Sequence, residues 1–186
     1  MPKIENAKIA ILSTHGFEQS ELEVPLARLG EMGAEVHVIT PDGNDITGWD
    51  DKDWGRTVKA DKPLSQALVT DYDALVLPGG QINPDLLRVN EQAVGFVRDF
   101  VRSGKTVAAI CHAPWLLVEA DAVRGRKVTS YPSIRTDVQN AGGDWQDVEV
   151  VADQGIVTSR NPGDLDAFVA KIREEIEEGI HERDAA

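Results

Sequence analysis

Four short apolar runs constrain the fold of this chain more than any other feature. They are Lys8-Ile9-Ala10-Ile11-Leu12, Glu35-Val36-His37-Val38-Ile39, Ala74-Leu75-Val76-Leu77 and Thr106-Val107-Ala108-Ala109-Ile110. Each is too short for an ordinary helix; three are apolar at consecutive positions, the pattern of a strand buried on both faces, and in the second His37 alternates with valines as on a strand. Helical spacing fills the intervals. Leu22, Leu26, Leu29 and Met32 recur on one face, with Gly33 as the stop and Pro25 expected in the first turns, where its missing N–H does no harm. Ala93, Phe96, Val97, Phe100 and Val101 mark a second helix behind Asn90 as N-cap, and Trp115 to Ala120 a third. Leu165, Phe168, Val169, Ile172 and Ile176 line a last one, opened by Asn161-Pro162. Short strands are expected near 127–129, 148–151 and 156–158, and a small hairpin from 46–48 and 57–59. This alternation predicts a mostly parallel sheet with helices on both faces. Sites in such sheets form beyond the carboxyl ends of the strands, here the loops Thr14–Glu18, Gly79–Asp85 and Cys111–Pro114.

At 186 residues the chain fits one α/β domain, residues 1–186, with an acidic tail from about 177 to 186 expected to fray. Nineteen basic against 32 acidic side chains leave a formal charge of −13, which repels phosphate backbones and anionic lipid. No nucleic-acid or membrane partner is therefore expected. Trp49, Trp54, Trp115 and Trp145 are not interleaved with basic residues, as a base-stacking platform requires. The N-terminus has no signal-peptide pattern, and no apolar run nears the roughly 20 residues of a membrane span, so a cytoplasmic protein is expected. Neither a G-x-G-x-x-G helix opening nor a G-x-x-x-x-G-K-[ST] loop occurs. His15, His37, His112 and His181 lack zinc-type spacing. No cofactor and no metal are expected.

Cys111 is the one cysteine, so it has no intramolecular disulfide partner. By residue type it reads as a small buried hydrophobe. Its position says more. It ends a buried strand and opens a helix, an elbow that lifts a side chain to the sheet edge. The helix N-terminus places partial positive charge near the sulfur, which favours thiolate. His112 and Pro114 follow at once.

Four motifs stand out along the chain: Gly16-Phe17-Glu18, Leu77-Pro78-Gly79-Gly80, Ala109-Ile110-Cys111-His112-Ala113-Pro114 and the stretch Gly125 to Pro132. Together they resemble the PfpI intracellular-protease family, kin to the parkinsonism-associated deglycase and to class I glutamine amidotransferases. The resemblance spans almost the whole chain. It implies a flavodoxin-like three-layer α/β/α sandwich with a nucleophile elbow. It implies Cys111 as nucleophile, His112 as acid/base partner, and Glu18 beside the sulfur as a protonated hydrogen-bond donor. By residue type alone Glu18 is a solvated loop acid. Backbone N–H groups of Gly80 and His112 would form an oxyanion hole; by type alone Gly79-Gly80 is a turn needing positive φ. Asp85 matches an acid that, in the family, reaches the histidine from a neighbouring subunit, which implies a homodimer or higher homo-oligomer. The Gln81-Ile82-Asn83 loop is one residue longer than the family pattern, and Ala113 stands where Gly is commoner. His15 and Tyr131 are candidate pocket residues. A glutaminase triad is excluded, because the histidine after His112, His181, lies in the tail beyond the fold.

Thiolate alone brings no rate advantage. Dropping a thiol pKa from about 8.5 to about 5.5 raises the thiolate fraction at pH 7 by roughly 30-fold. Intrinsic nucleophilicity falls by about the same factor. Catalysis must come from proton transfer and oxyanion stabilisation. The expectation is a stress-response cysteine hydrolase acting on peptide bonds, α-oxoaldehydes or glycated adducts. The alternative is a non-catalytic redox-sensing or chaperone-like stress protein whose Cys111 is oxidised by peroxide.

Overall fold

Continuous burial along the central strands builds the molecule outward from one sheet. The computed structural model describes residues 3–183. Its strands are β1 (Lys8–Leu12), β2 (Glu35–Thr40), β3 (Ile46–Asp50), β4 (Asp53–Val58), β5 (Lys62–Pro63), β6 (Ala74–Leu77), β7 (Thr106–Ile110), β8 (Lys127–Val128), β9 (Asp144–Trp145), β10 (Val150–Asp153) and β11 (Ile156–Ser159). Its helices are α1 (Gln19–Glu31), α2 (Ile82–Arg88), α3 (Glu91–Arg102), α4 (Pro114–Glu119), α5 (Arg135–Asn140) and α6 (Leu165–Glu178). Seven strands form the main sheet in the order β10-β11-β7-β6-β1-β2-β5. Every pairing is parallel except β10 with β11.

Successive strand side chains point to opposite faces. Ile9 and Ile11 of β1, Val76 of β6 and Ala108 and Ile110 of β7 join Leu22, Leu29, Phe168 and Ile172 in one core, under α1 and α6. Ala10, Leu12, Leu75, Leu77 and Ala109 join Phe96, Phe100, Leu116 and Val138 in the other, under α3, α4 and α5. A fully buried Leu or Phe contributes roughly 1.5–3 kcal/mol. The two cores make the three-layer sandwich that the apolar runs predict.

Strand order reverses direction at β1, whose neighbours are β2 and β6. The loops after β1, β6 and β7 therefore open side by side at one sheet edge. The predicted hairpin forms as β3 and β4, with Trp49 edge-on to Trp54.

Helix α1 starts at Gln19, so Pro25 sits in its second turn, within the first turns as expected. Two details differ from the sequence expectations. Residues 82–88 are helix α2 rather than loop, which puts Asp85 on its exposed surface. The tail through Arg183 is docked, not frayed. His181 N–H donates to Gly104 O at 2.9 Å. The Arg183 guanidinium donates to Val101 O at 2.6 Å, Lys105 O at 2.7 Å and Gln154 O at 2.7 Å. Carbonyls at the end of α3 lack intrahelical donors, and a planar five-donor fork meets several of them at once. Burial pushes Arg183 down to about 10, still fully charged at neutral pH. The expected fraying of residues 184–186 lies outside the described residues. No described helix is long and apolar enough to cross a membrane.

Candidate active site

Cys111 occupies the turn from β7 into α4 with φ of +65°. A non-glycine residue there carries strain on the order of 1–3 kcal/mol and persists only where its surroundings hold it. Cys111 N–H donates to Ser159 O at 3.0 Å, and its carbonyl accepts from Tyr131 N–H at 2.8 Å. These bonds pin both sides of the elbow. The thiol is 5% exposed.

Sγ lies 3.1 Å from His112 Nδ1, and His112 Nε2 lies 3.0 Å from Ser133 Oγ. Tyr131 stacks on the imidazole with ring centroids 4.7 Å apart, and Trp115 meets it edge-on at 5.2 Å. Burial pulls His112 below the usual histidine value, so the ring is neutral at pH 7.

The carboxyl against the sulfur belongs to Glu21, not Glu18. Glu18 is the N-cap of α1, and its side chain accepts from Glu21 N–H at 2.9 Å. That use turns Glu18 away from the thiol. One turn in, Glu21 is fully buried, within hydrogen-bonding reach of Cys111, and its Oε2 accepts from Gly79 N–H at 2.9 Å. Glu18 N–H donates back to Gly79 O at 3.2 Å. The first turn of α1 thus grips Gly79 by both its backbone groups. Burial pushes Glu21 up to about 8, and the charge on Glu18 pushes the same way. Burial also pushes the Cys111 thiol up, and a charge on Glu21 would push it further. The N–H groups of Gly80 and His112 pull it down. Helix-terminal charge was expected to favour thiolate; in this pocket desolvation outweighs it. Thiolate formation therefore needs a base, and neutral His112 is in contact.

Gly79 must be glycine on steric grounds. A Cβ there would lie 2.3 Å from Glu21 Oε2 and 2.5 Å from Cys111 Cβ. Gly80 has φ of +79°, and a Cβ would lie 2.5 Å from Glu18 N. Buried Asn83 braces this turn: Nδ2 donates to Pro78 O at 2.9 Å, and Oδ1 accepts from Thr14 N–H at 2.8 Å.

The structure brings Cys111, His112, Gly80 and Tyr131 together as the sequence reading proposed. His15 instead is exposed and ties the β3 hairpin, its Nδ1 accepting from Thr47 N–H at 3.1 Å. Asp85 faces solvent within one chain. The sequence reading missed Glu21 and Ser133. A signal for Glu21 was present: Glu21, Pro25 and Leu29 share a helix face at i, i+4 and i+8, which puts an acid in phase with the apolar stripe. Ser133 had no such signal, because its approach to His112 depends on the fold of the 129–134 segment.

His181 is packed into the fold, at the opposite end of β7 from Cys111. Its ligand atoms and those of Glu175 and Glu178 lie within 4.8 Å of one another. A cation there would have Arg183 beside it, whose charge acts on Glu175.

A sequence model of the DJ-1/PfpI family matches residues 7–175. The chain belongs to the DJ-1/PfpI family. It is 46% identical over 162 residues to a deglycase of Thermococcus kodakarensis, covering 87% of this chain and 95% of that one. It is 43% identical over 163 residues to general stress protein 18 of Bacillus subtilis, covering 87% and 92%. Among solved structures, a two-domain protein of Anabaena variabilis with DJ-1/ThiJ/PfpI-like and ferritin-like domains superposes with a TM-score of 0.87 at 36% identity. That match covers 92% of this chain and 48% of the other. The family's α/β sandwich is the one described above.

Proposed function

We propose that this protein is a cysteine-dependent enzyme of the stress response that acts on α-oxoaldehydes or their adducts on other molecules. The observation that carries the reading is the strained Cys111 elbow, with Sγ 3.1 Å from His112 Nδ1 and the buried Glu21 carboxyl on its other side. The names of the deglycase and stress-protein relatives support the substrate class and the setting. Burial of the thiol favours a small carbonyl over an extended polypeptide, whose backbone needs an open cleft. A reducing cytoplasm suits a lone catalytic thiol.

In this reading Sγ adds to the aldehyde carbon as the thiol proton passes to His112 Nδ1. The same proton then goes to the new alkoxide, giving a hemithioacetal. N–H groups of Gly80 and His112 stabilise that oxygen while it is negative. A proton shift from the aldehyde carbon to its neighbour, carried by His112, gives a 2-hydroxyacyl thioester. Water hydrolyses it to the hydroxy acid and frees the thiol. No oxidant or reductant is consumed.

The outer face of α2 is where a second copy of the chain would pack in this reading. Ile82, Leu86 and Val89 are exposed there beside Asp85. In such a homo-oligomer Asp85, exposed within one chain, would be available to the neighbouring subunit.

The test is incubation of the purified protein with methylglyoxal, with lactate followed by an enzymatic assay and a fluorogenic peptide run in parallel. Lactate formation with catalytic turnover is expected. Peptide cleavage without lactate would replace the substrate class, and neither product would remove the enzyme reading.

A further inference from the structure

We infer that Ser133 is a positioning residue that holds His112 as its Nε2–H tautomer and so leaves Nδ1 free to take the thiol proton. The inference deepens the cysteine-enzyme reading and rests on it. A neutral imidazole has one N–H and one lone pair, and the partner of one nitrogen decides the role of the other. His112 has one partner at each: Cys111 Sγ at 3.1 Å from Nδ1 and Ser133 Oγ at 3.0 Å from Nε2. For the thiol proton to move to Nδ1, that nitrogen must carry the lone pair. The ring proton then sits on Nε2, and Ser133 Oγ accepts it.

Two aromatic rings hold the imidazole, while Ser133 itself is exposed. Tyr131 covers one face at 4.7 Å, and Trp115 abuts it edge-on at 5.2 Å. Rotation that removed Nε2 from Ser133 would also remove Nδ1 from the sulfur. Ser133 is itself placed by a short 3-10 turn, Pro132–Ile134, anchored where Tyr131 N–H donates to the Cys111 carbonyl. The elbow that strains the nucleophile therefore also sets the hydroxyl that orients its base.

A hydroxyl in this position differs from a carboxylate. It fixes the tautomer without adding a negative charge that would hold a proton on the ring. The imidazole stays neutral, consistent with its desolvation. During the reaction no proton passes through Ser133. The S–H bond breaks, the proton rests on Nδ1, and Nε2–H keeps donating to Oγ until Nδ1–H is delivered to the substrate oxygen.

The experiment combines ring 15N NMR of the full-length protein with steady-state kinetics on methylglyoxal. His112 signals are assigned by their disappearance in His112→Gln. The wild type is expected to show a protonated Nε2 and an unprotonated Nδ1 at pH 7. Ser133→Ala should yield a tautomer mixture and lower kcat about 10-fold with KM unchanged, the size of one lost orienting hydrogen bond. Ser133→Thr, which keeps the hydroxyl, should restore both. A wild-type ring protonated on Nδ1 would overturn the inference, as would a Ser133→Ala protein with unaltered tautomer and kinetics. The NMR readout needs no turnover. If Cys111→Ala retained activity while the tautomer shift appeared, the enzyme reading would fail and the positioning of His112 would stand.

Discussion

Cys111→Ala is expected to reduce methylglyoxal turnover by at least about 10³-fold while moving Tm by no more than about 4 °C. The loss follows from the chemistry, because Sγ is the group on the Nδ1 side of His112, whereas the Ser133 hydroxyl meets the other ring nitrogen, Nε2. What remains would be the contribution of the N–H groups and of proximity. The small change in stability follows from the elbow. Alanine carries a Cβ like cysteine, so the strain at φ of +65° is neither added nor relieved. One buried sulfur atom is lost, which costs about 1 kcal/mol of transfer and packing. Removing a thiol held between a buried carboxyl and two N–H groups offsets part of that. Thermal unfolding and turnover measured on the same preparation check both halves. Activity above a tenth of the wild type would sink the nucleophile assignment. Protection of a client protein from aggregation that survived the substitution, with no turnover in the wild type, would favour the chaperone-like alternative.

Glu21→Gln is expected to stabilise the protein, and increasingly so as pH rises. The folded-state value of Glu21 is about 8 against 4.5 for the unfolded chain. Between those values the folded state holds a proton that the unfolded state releases, so stability falls as pH rises from about 4.5 to about 8. Above about 8 the full cost of a buried charge is present. The span of the shift corresponds to an order of magnitude of about 5 kcal/mol. Glutamine keeps the carbonyl oxygen that accepts from Gly79 N–H and carries no charge at any pH. The Tm difference between variant and wild type should therefore be small at pH 4.5 and reach roughly 10 °C at pH 8. Because other titrating groups are common to both proteins, the difference isolates Glu21. Parallel Tm profiles from pH 4.5 to 8 would show that burial does not hold the carboxyl protonated. Turnover should fall in the same variant, since the amide replaces the protonated carboxyl that hydrogen-bonds the sulfur. A site that gains stability on losing its acid is one where packing has been sacrificed to chemistry.

Much of this architecture follows from local pattern. Apolar runs such as Ala74–Leu77 bury both faces of a strand whatever surrounds them, and the helical stripes between them leave a sandwich as the packing solution. The Cys111 elbow is equally local, since a buried strand ending in Cys-His-Ala-Pro must turn at once into a helix. Asn90 as a cap and Asn161-Pro162 as a helix start rest on interactions within three residues.

What remained hidden depended on helix phase and on contacts distant in sequence. Glu18 is the N-cap of α1 and spends its carboxylate on the N–H of Glu21, while Glu21, one turn in on the buried side, is left to meet the thiol. Ser133 lies 21 residues from His112 and meets it only through the loop returning over β7. Arg183 finds its acceptors 78 or more residues away, at Lys105 and Val101, so the composition of the tail could suggest solvation but not docking. Sequence alone determined the sheet, its layers and the place of Cys111 at a strand-to-helix turn, since hydrophobic periodicity and that junction act over a few residues. Only the tertiary structure decided which carboxyl faces the sulfur, what holds the histidine and how the chain end is tied down, since each of these is a hydrogen bond between groups that folding alone brings together.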